Sequence, residues 1–150
     1  MHVTVTRVIG AGALGTVAMT MVGVFVAPMM GMPPMNPADM LASQMGGLVI
    51  LGWGAHLMIG IVLASIYGFV ALAHLPGPTV ARGALYSLAP WLMAQVVVMP
   101  MMGMGLFSRS ATLAGGSLLG HLVYGIVLGA VIGEPGGAPS GKRLVTPVAS

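Results

Sequence analysis

Two histidines and two methionine-rich turns are the groups in this chain that could do chemistry. His56 begins the phrase His-Leu-x-x-Gly-Ile-Val-Leu, and His121 begins the same phrase again. The turn Pro-Met-Met-Gly-Met also occurs twice, at residues 28–32 and at residues 100–104. An internal repeat of this kind places equivalent groups around a pseudo-two-fold axis. The sequence therefore predicts one histidine and one methionine-rich turn in each half of the molecule.

The histidines suggest the axial ligands of a haem. His56 and His121 are each followed four residues later by a glycine, Gly60 and Gly125, on the same face of a helix. Neutral imidazole is an ordinary axial ligand, and the glycines would leave room for the macrocycle. One hypothesis is therefore a b-type haem held between both imidazoles. The alternative is that each histidine hydrogen-bonds a carbonyl or hydroxyl group of a neighbouring helix.

The methionines suggest copper, because thioether sulfur is a soft ligand that selects Cu(I) and histidine can complete such a site. The chain has 15 methionines in 150 residues. The candidate copper ligands come from the two repeated turns: Met29, Met30, Met32, Met101, Met102 and Met104. Two alternatives remain. Methionine also fills irregular helix ends as a flexible apolar residue, and the turns could form a hydrophobic surface for a partner subunit.

Four membrane-spanning helices are the elements that must position these groups. The chain is 57% hydrophobic and 5% charged, whereas a soluble domain carries about 25% charged residues. A helix needs about 20 residues to cross a bilayer. Four apolar stretches are long enough, near Val8–Ala27, Leu48–Ala71, Ala84–Met99 and Ala114–Ile132. The predicted fold class is an all-α membrane protein, with four transmembrane helices as two repeated hairpins and the pseudo-two-fold axis along the membrane normal.

The predicted domain organisation is a single transmembrane domain over residues 1–133, with one repeat at about 8–71 and the other at about 80–133. Residues 134–150, rich in proline, glycine and serine, predict a disordered cytoplasmic tail. Basic residues favour the cytoplasmic side of a membrane, and all of them except Arg109 lie with the termini or the second connection. We therefore expect a bacterial-type inner membrane protein with cytoplasmic termini and both methionine-rich turns outside.

Small residues recur every four positions along the second and fourth spans, on the same face as the histidines. The two stripes are Gly52, His56, Gly60, Ala64 and Gly68, and Ser117, His121, Gly125, Gly129 and Gly133. Small residues let membrane helices approach closely. We expect both stripes to face protein, and the lone polar Gln95 of the third span to do the same.

A short extra helix is predicted between the first two spans. Residues 36–39, Asn-Pro-Ala-Asp, supply an N-cap, a proline at the first helical position and an acidic first turn. The helix would run to about Met45 and end at the pair Gly46-Gly47.

Enzyme and nucleic-acid functions find no support in the sequence. The two carboxylates, Asp39 and Glu134, are predicted on opposite sides of the membrane, so they form no acid pair. The absence of cysteine excludes disulfides, thiolate chemistry and iron–sulfur clusters. A Gly-x-Gly-x-x-Gly phrase at residues 10–15 opens a membrane span with no preceding strand. The basic residues are scattered, so we expect neither an enzyme nor a nucleic-acid partner.

Several phrases resemble a family of small four-helix prokaryotic membrane proteins of unknown function. They are Gly-Trp-x-x-His-x-x-x-Gly at residues 52–60, Leu-Pro-Gly at 75–77, Val-Val-Met-Pro-x-x-Gly-x-Gly-Leu-Phe at 97–107, and His-Leu-x-Tyr-Gly at 121–125. The resemblance covers about residues 8–133 and implies the fold and an inner-membrane location. It implies no established activity, so the histidines remain candidates. The methionine content of the turn at 100–104 exceeds what the family leads us to expect, which favours a metal or partner role.

Together these patterns predict a small accessory or structural subunit of a larger membrane assembly, of respiratory or redox type. Its expected surroundings are the lipid bilayer and either other membrane subunits or further copies of itself. A haem b protein using His56 and His121, and a copper protein using the methionine-rich turns, are the alternatives.

Overall fold

The structure is a computed structural model that describes residues 3–133, and this part of the chain consists of helices and their connections, with no strand. Its helices are α1 (Val5–Met29), α2 (Pro37–Gln44), α3 (Val49–Ala73), α4 (Thr79–Met101) and α5 (Ala111–Ile132). All except the short α2 are long and apolar enough to cross a membrane. The predicted all-α fold with four spans is therefore confirmed. The predicted tail at residues 134–150 lies outside the described residues.

Helix α2 begins as the sequence predicts. The Asn36 side chain accepts a hydrogen bond of 3.0 Å from the Ala38 amide, and left-handed glycines follow the end of the helix. The helix packs on the start of α3, where Gly52 lies against the Ala38 carbonyl and the Ala42 side chain. A Cβ at position 52 would overlap that carbonyl, so glycine is what lets α2 approach α3.

Helices α1 and α4 share an irregularity that the sequence analysis did not predict. Each contains a π-helical turn, Val22–Val26 in α1 and Ala94–Val98 in α4. A proline follows two residues later in both, Pro28 and Pro100. A proline ring clashes with the carbonyl four residues before it, and in both helices that carbonyl lies in the wider π turn. The glycine of each Pro-Met-Met-Gly-Met turn then has nearly the same φ, +78° and +79°.

Glycines bring the spans into close contact. Around the bundle the order is α3, α1, α5, α4. A Cβ on Gly12 of α1 would lie 2.7 Å from the Ile61 Cα of α3, and one on Gly60 of α3 would overlap Thr16 of α1. Gly125 of α5 lies in the same way against the backbone of α4. The expectation that the small-residue stripes face protein is therefore confirmed.

Helices α3 and α4 meet only near the tight turn that joins them. There the Tyr67 and Tyr86 rings pack with centroids 5.2 Å apart, and the Tyr86 hydroxyl donates to the Leu63 carbonyl at 2.9 Å. Beyond these contacts the two helices are separated by a cavity. We call this gap the α3–α4 seam, and the end of the bundle with both methionine-rich turns the methionine end.

Candidate functional site

A cavity of about 200 Å³ lies in the half of the bundle towards the methionine end. All four spans and α2 contribute to its wall. His56 of α3 and His121 of α5 both line it, although these two helices hardly touch each other. The fold therefore brings the two repeated histidines to one place across an open space.

The wall of this cavity is mostly apolar, and methionine is its most frequent residue. Six methionines line it: Met19, Met35, Met40, Met93, Met99 and Met102. Its polar side chains, besides the histidines, are those of Thr16, Ser117 and Tyr124. The Tyr124 hydroxyl is committed to the Gly60 carbonyl.

The cavity reaches the outside of the bundle at the α3–α4 seam. Ile59 of α3 and Met93 of α4 both line the cavity. The same residues are 47% and 59% exposed. Both residues belong to helices that are long and apolar enough to cross a membrane. At its opposite end the seam is closed by the Tyr86–Leu63 hydrogen bond.

The protonation of the His56 ring follows from its contact with Thr20. Nε2 of the buried His56 lies 3.1 Å from the Thr20 Oγ1. The Thr20 hydroxyl has one proton, which it donates to the Thr16 carbonyl at 2.9 Å. With the Thr20 proton on the Thr16 carbonyl, the Nε2–H of His56 donates to Thr20 and Nδ1 of the neutral ring keeps its lone pair. Among residues 3–133 that Nδ1 has no hydrogen-bond partner.

The protonation of the His121 ring follows from a backbone contact. Its Nδ1 lies 2.9 Å from the Ser117 carbonyl oxygen, four residues earlier on α5. A carbonyl oxygen accepts only, so Nδ1 carries the proton and Nε2 keeps the lone pair. Within the part of the chain that the structure describes, this Nε2 has no hydrogen-bond partner either. Both imidazoles thus offer one acceptor nitrogen, to a hydrogen-bond donor or to a metal ion.

The glycines predicted to clear a haem macrocycle lie against neighbouring helices. Gly60 packs on Thr16 of α1, and Gly125 packs on Gly83 and Ser87 of α4. The cavity is also smaller than the roughly 300–1,000 Å³ of pockets that hold drug-sized ligands. In this arrangement the residues present do not fit a haem macrocycle, and the haem hypothesis stays a prediction without geometric support.

The methionines predicted as copper ligands are divided between several places. Three are largely exposed, at 86%, 62% and 80%: Met29, Met30 and Met101. Met102 lines the main cavity, and Met32 lines a smaller cavity of about 30 Å³ that also borders His121. Met104 is half-buried and lines neither. The repeated turns therefore form an exposed rim, and mostly other methionines surround the histidines.

A metal in this cavity would need thioether ligands. No group of three or more histidine, cysteine, aspartate or glutamate side chains is close enough to hold a metal within residues 3–133. The pair of imidazoles with the surrounding sulfur atoms is the donor set that the cavity offers. Such a set suits a soft ion rather than Mg²⁺ or Ca²⁺, which take oxygen ligands.

Comparison with protein families assigns the chain to one of them. A family model described as a family of unknown function, DUF6789, matches residues 2–142. The chain belongs to the DUF6789 family. This confirms the predicted membership of a membrane protein family of unknown function. Comparisons with curated proteins and with solved structures gave no match.

In this DUF6789 protein, Gln95 connects the cavity wall to the loop before α5. Gln95 is 1% exposed, as expected of a lone polar group in a span. Its Nε2 donates to the Ser117 hydroxyl at 3.1 Å, and its Oε1 accepts from the Ser108 hydroxyl at 3.4 Å. Ser108 belongs to a left-handed turn, residues 107–109, with φ between 49° and 56°. The hydrogen bonds of Gln95 hold this strained turn beside Ser117 of the cavity.

Sequence reasoning missed the partners that orient the site. Thr20 holds His56 from a position 36 residues away, and no local pattern marks such a contact. Met35 and Met40 follow the first methionine-rich turn closely in the sequence. This closeness could have predicted that they lie at the methionine end. Met19 lies inside a span and carries no such signal.

Proposed function

We propose that this DUF6789 protein binds a small ligand within the membrane, in the cavity that His56 and His121 share. The observation that carries the proposal is the pair of imidazoles, each held through one ring nitrogen and each with a second ring nitrogen that has no hydrogen-bond partner among residues 3–133. An ionisable side chain inside a membrane span calls for a functional hypothesis by default. An apolar cavity with a few convergent polar groups is the usual form of a small-molecule site.

The chemistry of the two rings restricts the ligand. With both imidazoles neutral and one N–H of each already donated, the remaining nitrogens only accept. A hydroxyl-bearing molecule or a Lewis-acidic metal ion complements them, whereas an ester or ketone does not. The α3–α4 seam, bordered by Ile59 and Met93, supports entry from the bilayer.

We propose an accessory role in a larger membrane assembly as the second candidate. The exposed rim of Met29, Met30 and Met101 favours it, because flexible thioether side chains adapt to a partner surface. The small-residue stripes do not add to this docking surface, since they are already packed inside the chain.

Native mass spectrometry of the full chain, taken from membranes in mild detergent, tests these proposals. We expect the wild type to retain a non-lipid mass that His56→Ala and His121→Ala both lose. His74→Ala is the matched control, because His74 is exposed in the turn at the opposite end of the bundle. Loss of the mass in the control as well, or no bound mass in the wild type, would overturn ligand binding. A protein partner retained by all variants would support the accessory role.

A further inference from the structure

The methionines of the cavity come from several parts of the fold, so they line the space that the histidines share on more than one side. Met19 belongs to α1, Met40 to α2, and Met93 and Met99 to α4. Met35 comes from the connection before α2, and Met102 from the second methionine-rich turn. Methionine is a flexible apolar filler, and its thioether sulfur is in addition a soft metal ligand. The six methionines therefore give the cavity soft donor groups as well as an apolar wall.

The charge of the site restricts the ion that it could hold. Asp39 is the one carboxylate among residues 3–133, and it is exposed at the side of α2. The chain has no cysteine, so no thiolate can supply negative charge. Burying a charge in apolar surroundings is expensive, and the cost rises with the charge of the ion. A donor set of neutral sulfur and nitrogen atoms in a membrane therefore suits a monovalent ion.

We infer that the cavity binds Cu(I), held by the acceptor nitrogens of His56 and His121 together with thioethers of the cavity methionines. Thioether and imidazole are the ligand types that select Cu(I) over harder ions. The inference rests on the proposed function and names its ligand. It also relocates the copper site: the predicted turn residues Met29, Met30 and Met101 are exposed on the methionine end, while the site itself lies between the spans.

A competition titration with a chromogenic Cu(I) chelator tests the inference on the full chain in detergent. We expect equimolar binding of Cu(I) by the wild type. The cavity variant combines Met35→Leu, Met99→Leu and Met102→Leu, which nearly conserve volume. We expect its affinity to fall by at least about tenfold, the loss known for removing even an outer-shell partner of a metal site. The matched rim variant, Met29→Leu, Met30→Leu and Met101→Leu, should keep the wild-type affinity.

X-ray absorption of the Cu(I)-loaded wild type gives a second readout that does not depend on the folding of variants. We expect both sulfur and nitrogen in the first coordination shell. A shell of nitrogen and oxygen alone, or an affinity that only the rim variant loses, would overturn the inference. If Cu(I) does not bind but native mass spectrometry shows a histidine-dependent organic ligand, the inference fails and the proposed function stands. If neither Cu(I) nor a histidine-dependent organic ligand binds, both the inference and the proposed function fail.

Discussion

His56 on α3 and Thr20 on α1 are joined by a hydrogen bond, with 3.1 Å between Nε2 and Oγ1. With the Thr20 proton on the Thr16 carbonyl, the Nε2–H of His56 is the donor and Nδ1 stays unprotonated. The hydrogen bond also attaches the histidine to the helix that packs on both α3 and α5. The proposed site depends on that fixed tautomer.

Replacing Thr20 by valine tests this contact. Thr20→Val keeps the shape of the side chain and removes the hydroxyl, which leaves Nε2 of the buried His56 without its hydrogen-bond partner. Such a loss costs about 1–3 kcal/mol. We expect the free energy of unfolding, measured by titration with denaturing detergent, to fall by this amount. Thr6→Val is the control, since Thr6 is exposed; equal stability of the two variants would contradict the contact.

Replacement by alanine should change the free energy of unfolding in opposite directions at two glycines of α5. A Cβ on Gly125 would overlap the Gly83 carbonyl of α4, whereas one on Gly115 meets nothing within 4 Å. We expect Gly125→Ala to lower the free energy of unfolding by about 1–3 kcal/mol, as overpacking does. Gly115→Ala should raise it by up to about 1 kcal/mol, because alanine has the higher helix propensity. Similar effects at both positions, in the same titration, would show that α4 and α5 do not pack this closely.

The left-handed turn before α5 can be tested by the stability of variants at Arg109. This exposed residue has φ 49°, a conformation that costs an L-residue about 1–2 kcal/mol and glycine nothing. Arg109→Gly should therefore be more stable than Arg109→Ala by about 1 kcal/mol in thermal unfolding. The reverse order, the one expected in a regular helix, would rule out the left-handed backbone at this residue.

The proposed orientation in the membrane is testable because the chain lacks cysteine. We expect Met30→Cys and Met101→Cys to react with a membrane-impermeant thiol reagent added to intact cells, since both methionines are exposed at the methionine end. Pro76→Cys, in the tight turn between α3 and α4, should react only after the cells are opened. Labelling of Pro76→Cys in intact cells, or of only one methionine position, would contradict the proposed topology.

Local patterns in the sequence predicted the parts of the fold that local physics decides. Apolar length identified the four spans, and Asn36 with Pro37 identified the start of α2. Gly60 and Gly125 each lie four residues after a histidine. This spacing predicted that they face protein, but not which neighbour fills the space beside them. The haem hypothesis needed that space to be open. The Thr20–His56 contact, the π turns and the α3–α4 seam arise from packing between distant segments, which no local pattern records.

Cross-linking tests most directly the central claim that His56 and His121 face one cavity. The double variant His56→Cys/His121→Cys leaves these as the only two thiols of the chain. We predict that a short bifunctional maleimide joins them within one chain in native membranes, as detected by mass spectrometry of the monomer. The control pair Met58→Cys/His121→Cys should stay unlinked, since Met58 is 68% exposed and does not line the cavity. Failure to link the histidine positions, or equal linking of both pairs, would contradict the shared cavity.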